Sequence, residues 1–430
     1  MKFIETIKQK LSSKMASDVI WTFVVQMIIM LCSFAVNKIL SIKLDIDTFG
    51  EYNVIKRSIS VISFVLLAGT GIAIPRFLAI YLAKKDYKQA KTFIISSICF
   101  VATITILVLL IAFIFKTFLA DLIIGEDDNL LYILTWGYSI ILTSASFLYA
   151  FFRGKNDFKK FNISQAIVQL SLPISILIIP KLTLINIFSW WTFLTFITIF
   201  IFIIIEKKSG GLNYNDNISK QDIKYQYKQV AKYSLPRLLG DFFLFSFSAF
   251  PVIYISKYIN NEAVSYYSVG ITIVSIATAL YSFLGMILLP YVSECLAKNK
   301  ISEAISKINK LTIIYILTAL IIISAFYFLT EFMILLFFTE EYLPARDITI
   351  ILVLSLLPQS LYLLYRNPID AVSVFPFNTI ILLISFLALV ISFFNFNTLE
   401  ELSWVYVFVS VLQGLLSFIV WSVLKNKKQQ

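Results

Sequence analysis

Apolar residues along this chain come in blocks. Runs of about 20 apolar positions recur from residue 19 to residue 424, parted by short polar stretches. At 1.5 Å rise per residue, a helical run of that length crosses the roughly 30 Å hydrocarbon core of a bilayer. The pattern predicts twelve transmembrane helices, at 19–42, 52–75, 92–115, 130–152, 162–180, 184–205, 230–256, 265–291, 311–330, 347–365, 375–394 and 402–424. The fifth and sixth are parted only by Pro180, Lys181 and a few neighbours, and the tenth carries Pro358.

Charge in the connections orients the bundle. With the N-terminus inside, 27 of the 36 Lys and Arg residues fall in or beside cytoplasmic segments and five in outer loops, while Lys38, Lys56, Arg57 and Arg237 lie within helices. Cytoplasmic loops of membrane proteins hold the Lys/Arg excess, so both termini are expected in the cytoplasm. Acidic residues such as Glu126, Asp127, Asp128, Glu340 and Glu341 gather on the other side. The net charge of +11 is therefore a topology signal, and no nucleic-acid partner is expected.

Sliding the chain by 215 residues superimposes helix 2 on helix 8 without a gap, with Tyr52 on Tyr267, Val54 on Val269 and Pro75 on Pro290. The same shift carries Glu126 onto Glu341 and the six helices of the first half over the six of the second. A constant register across six helices points to an ancient duplication. It divides the chain into an N-terminal six-helix lobe at 1–205, a hydrophilic cytoplasmic linker at 206–229 containing Gly210 and Gly211, and a C-terminal six-helix lobe at 230–430. Halves with an even number of helices start on the same side, which makes the repeats parallel, facing each other across a central cavity. The expected fold class is an all-α membrane protein.

Composition narrows the chemistry. With 59% hydrophobic residues, 14% charged residues and a mean hydropathy of +0.87, no sizeable water-soluble domain is expected. Cys32, Cys99 and Cys295 lie in or beside apolar runs without pairing or metal-ligand spacing and read as small buried hydrophobes. Histidine is absent, which removes the commonest proton shuttle and metal ligand, so no metal or cofactor is expected and proton coupling falls to carboxylates. Residues 1–18 are charged and amphipathic, lack the apolar core of a signal peptide, and read as a retained cytoplasmic segment.

FGEYN at the start of helix 2, GTGIAIPRFLA at its end before a basic loop, YAFFRGKNDF after helix 4 and YSLPRLLGDF opening helix 7 together resemble the polysaccharide transporter family. These are the O-antigen and capsule repeat-unit flippases of the superfamily that also holds multidrug/toxin extrusion (MATE) proteins and the lipid II flippase. The resemblance implies a two-lobed carrier, not an enzyme, in a bacterial inner membrane. It implies export of undecaprenyl-diphosphate-linked oligosaccharide by alternating access, serving O-antigen, lipopolysaccharide or capsule. The partners that follow are the lipid-linked substrate, membrane lipids, H+ or Na+ as a candidate coupling ion and a polysaccharide polymerase as a candidate protein partner, with a monomer as the working unit.

A diphosphate bearing a hydrophilic glycan cannot cross hydrocarbon unaided, so a carrier must offer a cationic path while the polyprenyl tail stays in lipid. An Arg or Lys at a helix centre costs about 2.5–3.5 kcal/mol on insertion scales, which favours positions facing a cavity or a partner. Arg57, beside Lys56 near the outer end of helix 2, is the first choice as a substrate ligand, because its planar fork suits bidentate phosphate contact. Snorkelling to the interface is the plainer reading of the same pair. Arg237, next to Pro236 in helix 7, is either a helix-end arginine paired with Asp241 at i+4 or a phosphate contact or gate. The 215-residue shift sets Gln26 opposite Asp241, which favours a cavity-facing polar position, and Asp241 is the candidate ion-coupling carboxylate.

Lys38 reads as an interfacial anchor or a further ligand. Arg76 and Arg153, like Arg366, follow apolar runs at cytoplasmic ends, where anchoring competes with a rim that meets the incoming diphosphate. Arg346, on the outer side, is expected in a surface ion pair. Tyr52, Tyr266 and Tyr267 are candidates for stacking on sugar rings, although most of the 40 Phe and 22 Tyr suit lipid-facing and interfacial positions.

Other functions compete. A multidrug exporter of the same superfamily calls for an acidic, aromatic cavity, whereas four basic groups and one clear acid lie within the helices here. A membrane-bound polymerase or glycosyltransferase tends to carry a large outer loop with catalytic Asp, Arg or His, but the outer loops are short. A scaffold without transport leaves no distinguishing mark in the sequence.

Overall fold

A computed structural model describes residues 14–125, 128–209, 218–297, 300–373 and 375–429, and all regular structure within them is helical. The predicted N-terminal segment up to residue 13, Glu126, Asp127 and residues 210–217 lie outside the described residues. The first half runs α1 (Lys14–Lys43), α2 (Ile46–Leu67), α3 (Thr70–Ala83), α4 (Tyr87–Ile114), α5 (Lys116–Ile123), α6 (Asn129–Gly154), α7 (Phe158–Ile178) and α8 (Leu184–Lys208). The second runs α9 (Lys220–Tyr258), α10 (Asn261–Ala297), α11 (Ile301–Phe337), a 3-10 turn at Glu340–Ala345, α12 (Arg346–Val353), α13 (Leu356–Val372), α14 (Phe377–Phe393) and α15 (Leu399–Gln429).

Among the described residues, nine helices are long and apolar enough to cross a membrane, and two bent pairs raise the number to eleven. The predicted span at 375–394 is α14, which at 17 residues is the short apolar helix of the set. Side chains such as Phe113 (78% exposed) and Phe328 (81%) stand outward, as a hydrocarbon surround permits and water does not. The protein is a multi-pass integral membrane protein.

The helix ends follow the 215-residue register. Lys43 and Tyr258 end α1 and α9, Ile46 and Asn261 begin α2 and α10, Ile178 and Phe393 end α7 and α14, and Leu184 and Leu399 begin α8 and α15. Of the stretch 206–229, residues 206–208 finish α8 and 220–229 open α9, because polar residues at an apolar run's end still make helical hydrogen bonds.

Two predicted helices are corrected. The single helix expected at 52–75 begins at Ile46 and breaks at Ala68 and Gly69, both left-handed (φ 50° and 72°), so α2 and α3 meet at 40°. The helix expected at 347–365 is bent by 48° at Leu354–Ser355. Pro358 explains that bend: it has no N–H for the carbonyl four residues back, at Leu354, and its ring presses on that carbonyl.

Gly69 is required twice over, by its positive φ and by α9, since a Cβ there would stand 2.5 Å from the Ser234 carbonyl oxygen. Gly69→Val is expected to destabilise the fold by about 1–3 kcal/mol, read as a lower unfolding temperature in detergent, and an unchanged temperature would refute the role of the break.

The described residues form two compact units. One comprises residues up to Lys43 with Ser58–Asp241, the other Leu44–Arg57 with the chain from Phe242 onward. In the first, α2 meets α6 through small polar side chains: Ser63 Oγ donates to the Ser139 carbonyl (3.3 Å) and Thr143 Oγ1 to the Ser63 carbonyl (3.1 Å). The start of α9 docks on α4 through Lys88–Asp222 (3.1 Å) and Ser96 Oγ to the Ile223 carbonyl. In the second unit the core gathers around Tyr281, Tyr315, Tyr365 and Trp421. Cys32 and Cys295 are buried, but Cys99 lies on the outward face of α4, where lipid is as good a surround for a thiol as protein.

Candidate functional site

The break between α2 and α3 organises a cationic cluster in the first unit. Because Gly69 carries no side chain, α9 comes close enough for the Arg237 Cβ to lie 3.1 Å from where a Gly69 Cβ would stand. Arg237 then folds back on its own helix. Its Nη1 donates to the Tyr233 carbonyl (3.0 Å) and its Cζ lies 3.7 Å from the Tyr233 ring centroid. Arg76 of α3 meets the same tyrosine, donating from Nη1 to its hydroxyl (3.0 Å) with Cζ 5.1 Å from the ring. Tyr233 therefore carries two guanidiniums, one by its face and one by its oxygen.

Arg153, at the end of α6, closes the group. Pro75 has no N–H to offer the carbonyl of Gly71, four residues back, and Arg153 Nη2 takes that acceptor at 2.9 Å. Among the described residues no carboxylate forms an ion pair with Arg76, Arg153 or Arg237. Arg76 and Arg153 are exposed and Arg237 is half-buried, so their charge remains available to an anion.

By contrast, Lys155 and Lys160 nearby in sequence both ion-pair with Glu206, the latter at 2.7 Å. Arg346 pairs with Glu331 (3.0 Å) and Asp347 (3.1 Å) at the surface.

In the second unit, α2 and α10 start in close contact. A Cβ on Gly50 would overlap the Asn261 carbonyl, and Ser265 Oγ donates to the Ile46 carbonyl. This packing buries Tyr52 and Tyr267, the pair related by the repeat, and sets Arg57 within electrostatic range of the hydroxyls of Tyr52, Tyr267 and Tyr406. Lys56 Nζ lies 5.4 Å from the Tyr52 ring centroid. Gln359 Nε2 donates to the Tyr406 hydroxyl at 3.3 Å, whereas the buried Tyr267 hydroxyl has no hydrogen-bond partner among the described residues. An orphaned buried hydroxyl costs about 1–3 kcal/mol, so a guanidinium and a phenol are both left ready for an acceptor such as a phosphate or sugar oxygen.

Two sequence candidates stand outside these groups. Lys38 lies half-buried in α1, and Asp241 half-buried in α9; neither is a partner of Arg76, Arg153 or Arg237. Arg237 therefore departs from the expected i+4 pairing, because the Tyr233 face and carbonyl lie one turn the other way. Gln26, set opposite Asp241 by the repeat, pairs with Gln165 of α7 at 3.0 Å and so joins two helices. Tyr266 donates to Glu262 (2.7 Å) on its own helix. Sequence reading passed over Tyr233, Tyr406 and Gln359. Tyr233 opens the YSLPR motif and was within reach, whereas nothing local marks Tyr406 or Gln359 in their apolar helices.

Comparison with known proteins agrees with this architecture. Residues 15–296 match the family described as polysaccharide biosynthesis protein, and residues 236–394 match the MatE family. No curated protein matches the chain in sequence. Among solved structures, an inward-facing multidrug resistance MATE family transporter of the MOP superfamily is similar with a TM-score of 0.76 at 11% identity, covering 96% of this chain and 99% of its own. Lipid II flippase MurJ in an inward closed conformation is similar with a TM-score of 0.71 at 15% identity, covering 96% and 88%. The Vibrio cholerae MATE transporter VcmN in the bent form gives 0.61 at 14% identity, covering 96% and 98%. From its sequence match and this shared helical architecture, the chain belongs to the polysaccharide biosynthesis protein family and has the fold of MOP-superfamily transporters.

Proposed function

We propose that the protein is a flippase that carries an undecaprenyl-diphosphate-linked oligosaccharide repeat unit, of O-antigen, capsule or a related polysaccharide, from the cytoplasmic to the outer leaflet of a bacterial inner membrane. The reading rests on one observation above all: Arg57, Arg76, Arg153 and Arg237 have no ion-paired carboxylate among the described residues, whereas Lys155 and Lys160 are matched by Glu206 and Arg346 by Glu331 and Asp347. Uncompensated guanidiniums in an apolar chain are held against their insertion cost, and a diphosphate is the anion that offsets it. A multidrug exporter of organic cations would be repelled by the same groups.

In this reading both termini are cytoplasmic and the chain works as a monomer by alternating access. The repeat halves 1–205 and 230–430, joined by 206–229, are its evolutionary units. A polysaccharide polymerase takes up the product on the far side. Reconstituted vesicles holding a fluorescent lipid-linked oligosaccharide test the function: addition of the protein should make the inner-leaflet pool accessible from outside, and an inaccessible pool would defeat the reading.

Asp241, the acid deepest in α9, is the proposed site of coupling to H+ or Na+. Asp241→Asn should flatten the dependence of translocation on a pH or Na+ gradient while leaving the protein folded. If the variant responds to both gradients as the wild type does, coupling lies elsewhere.

A further inference from the structure

Helix α4 packs on α3 and on the start of α9, and Ile98, Ile106 and Phe113 along it are exposed. Its repeat counterpart α11 packs along both α12 and α13. Between α4 and the α6–α8 pair runs a slot of about 730 Å³. Its walls are apolar, with Ile98 and Ile106 on one side and Phe147 and Ile203 on the other, and Ser144 of α6 faces it.

One end of the slot is charged, where Lys91, Glu206 and Lys207 close it. Glu206 is already matched by both Lys155 and Lys160, and Lys207 has no ion-paired carboxylate among the described residues. The mouth is therefore net cationic over an apolar slot. Water gains nothing there, because it needs two to four polar partners, whereas a hydrocarbon chain loses nothing.

We propose that this slot is a binding site for one anionic phospholipid. An acyl chain lies between α4 and the α6–α8 pair, and the phosphate sits at Lys91 and Lys207. The slot opens sideways on the lipid-facing surface, where phospholipid is the solvent, and the excess of lysine selects the anionic species. The bound chain takes the place of a missing helix contact and sets how far α4 stands from α6.

Native mass spectrometry of the full-length protein, with phosphatidylglycerol, phosphatidylcholine and polyprenyl phosphate as probes, tests this. One phosphatidylglycerol should be retained in preference to phosphatidylcholine, and Lys207→Ala should weaken that preference about fivefold. Ser144→Trp, which fills the slot, should abolish retention, while Ser144→Ala keeps it. A phosphatidylglycerol with a diazirine in its acyl chain should label α4 and α8 peptides of the wild-type protein, a readout that does not depend on how any variant folds. Equal retention of the two phospholipids, preferential retention of polyprenyl phosphate, retention by a folded Ser144→Trp, or labelling away from α4 and α8 would each overturn the proposal.

Discussion

Arg57→Ala is expected to abolish translocation of a lipid-linked oligosaccharide and, at the same time, to make the protein more stable. The two effects share a cause. Arg57 is a cation in an apolar helix with phenol groups around it and no ion-paired carboxylate among the described residues. Removing such a charge recovers up to about 2.5–3.5 kcal/mol of insertion cost, less whatever the tyrosines return. A residue kept for folding loses stability when truncated, whereas one kept for a ligand loses function and gains stability. Arg57→Lys separates charge from shape: it keeps the cation but not the bidentate fork, and most of the activity should be lost with it. Vesicle translocation and thermal unfolding of the three proteins supply the check. Full activity in Arg57→Ala would remove this residue from the substrate path, and a stability loss would make it structural.

The second large effect is expected at Tyr233. One side chain holds Arg76 through its hydroxyl and Arg237 through its ring, so Tyr233→Ala should release Arg76, leave Arg237 only its bond to the main-chain carbonyl of residue 233, and fall most of the way to the double variant Arg76→Ala/Arg237→Ala. A charge-assisted hydrogen bond to phosphate is worth about 1.5–3 kcal/mol, so each arginine displaced should weaken substrate binding about 10- to 100-fold. Tyr233→Phe keeps the ring and drops only the bond to Arg76, which places it between wild type and Tyr233→Ala. Binding of a diphosphate-linked saccharide at low and high salt reads out the series, with the salt dependence shrinking as arginines are released. Wild-type affinity in Tyr233→Ala would show that the cluster holds α3 and α9 together and does nothing more.

Much of the membrane architecture was legible because a bilayer enforces it. A span must be a long apolar run with its backbone bonded internally, and a repeat must keep its register, so run length and a shift of 215 residues found the helices and their order. The breaks were less legible. Pro358 stands out in the tenth helix, but the bend falls at Leu354–Ser355, four residues back where the missing N–H is felt. Ala68–Gly69 falls mid-helix by pattern because alanine and glycine in an apolar run are also ordinary helix residues; only the approach of Ser234 and Arg237 explains the left-handed turn there.

The candidate residues divide along the same line. Sequence alone determined that few cations lie in or at the ends of apolar helices, and it named Arg57, Arg76, Arg153 and Arg237 among them, because charge in hydrocarbon is too costly to be incidental. Tertiary structure decided their company. It joined Arg76 to Arg237 across 161 positions (237 less 76) through Tyr233, gave Arg153 the carbonyl that Pro75 leaves free, and ringed Arg57 with tyrosines from three helices. Burial cost is a property of a residue in its own run, whereas a partner is a matter of which helices pack and how closely, and that is set by distant glycines and prolines acting together.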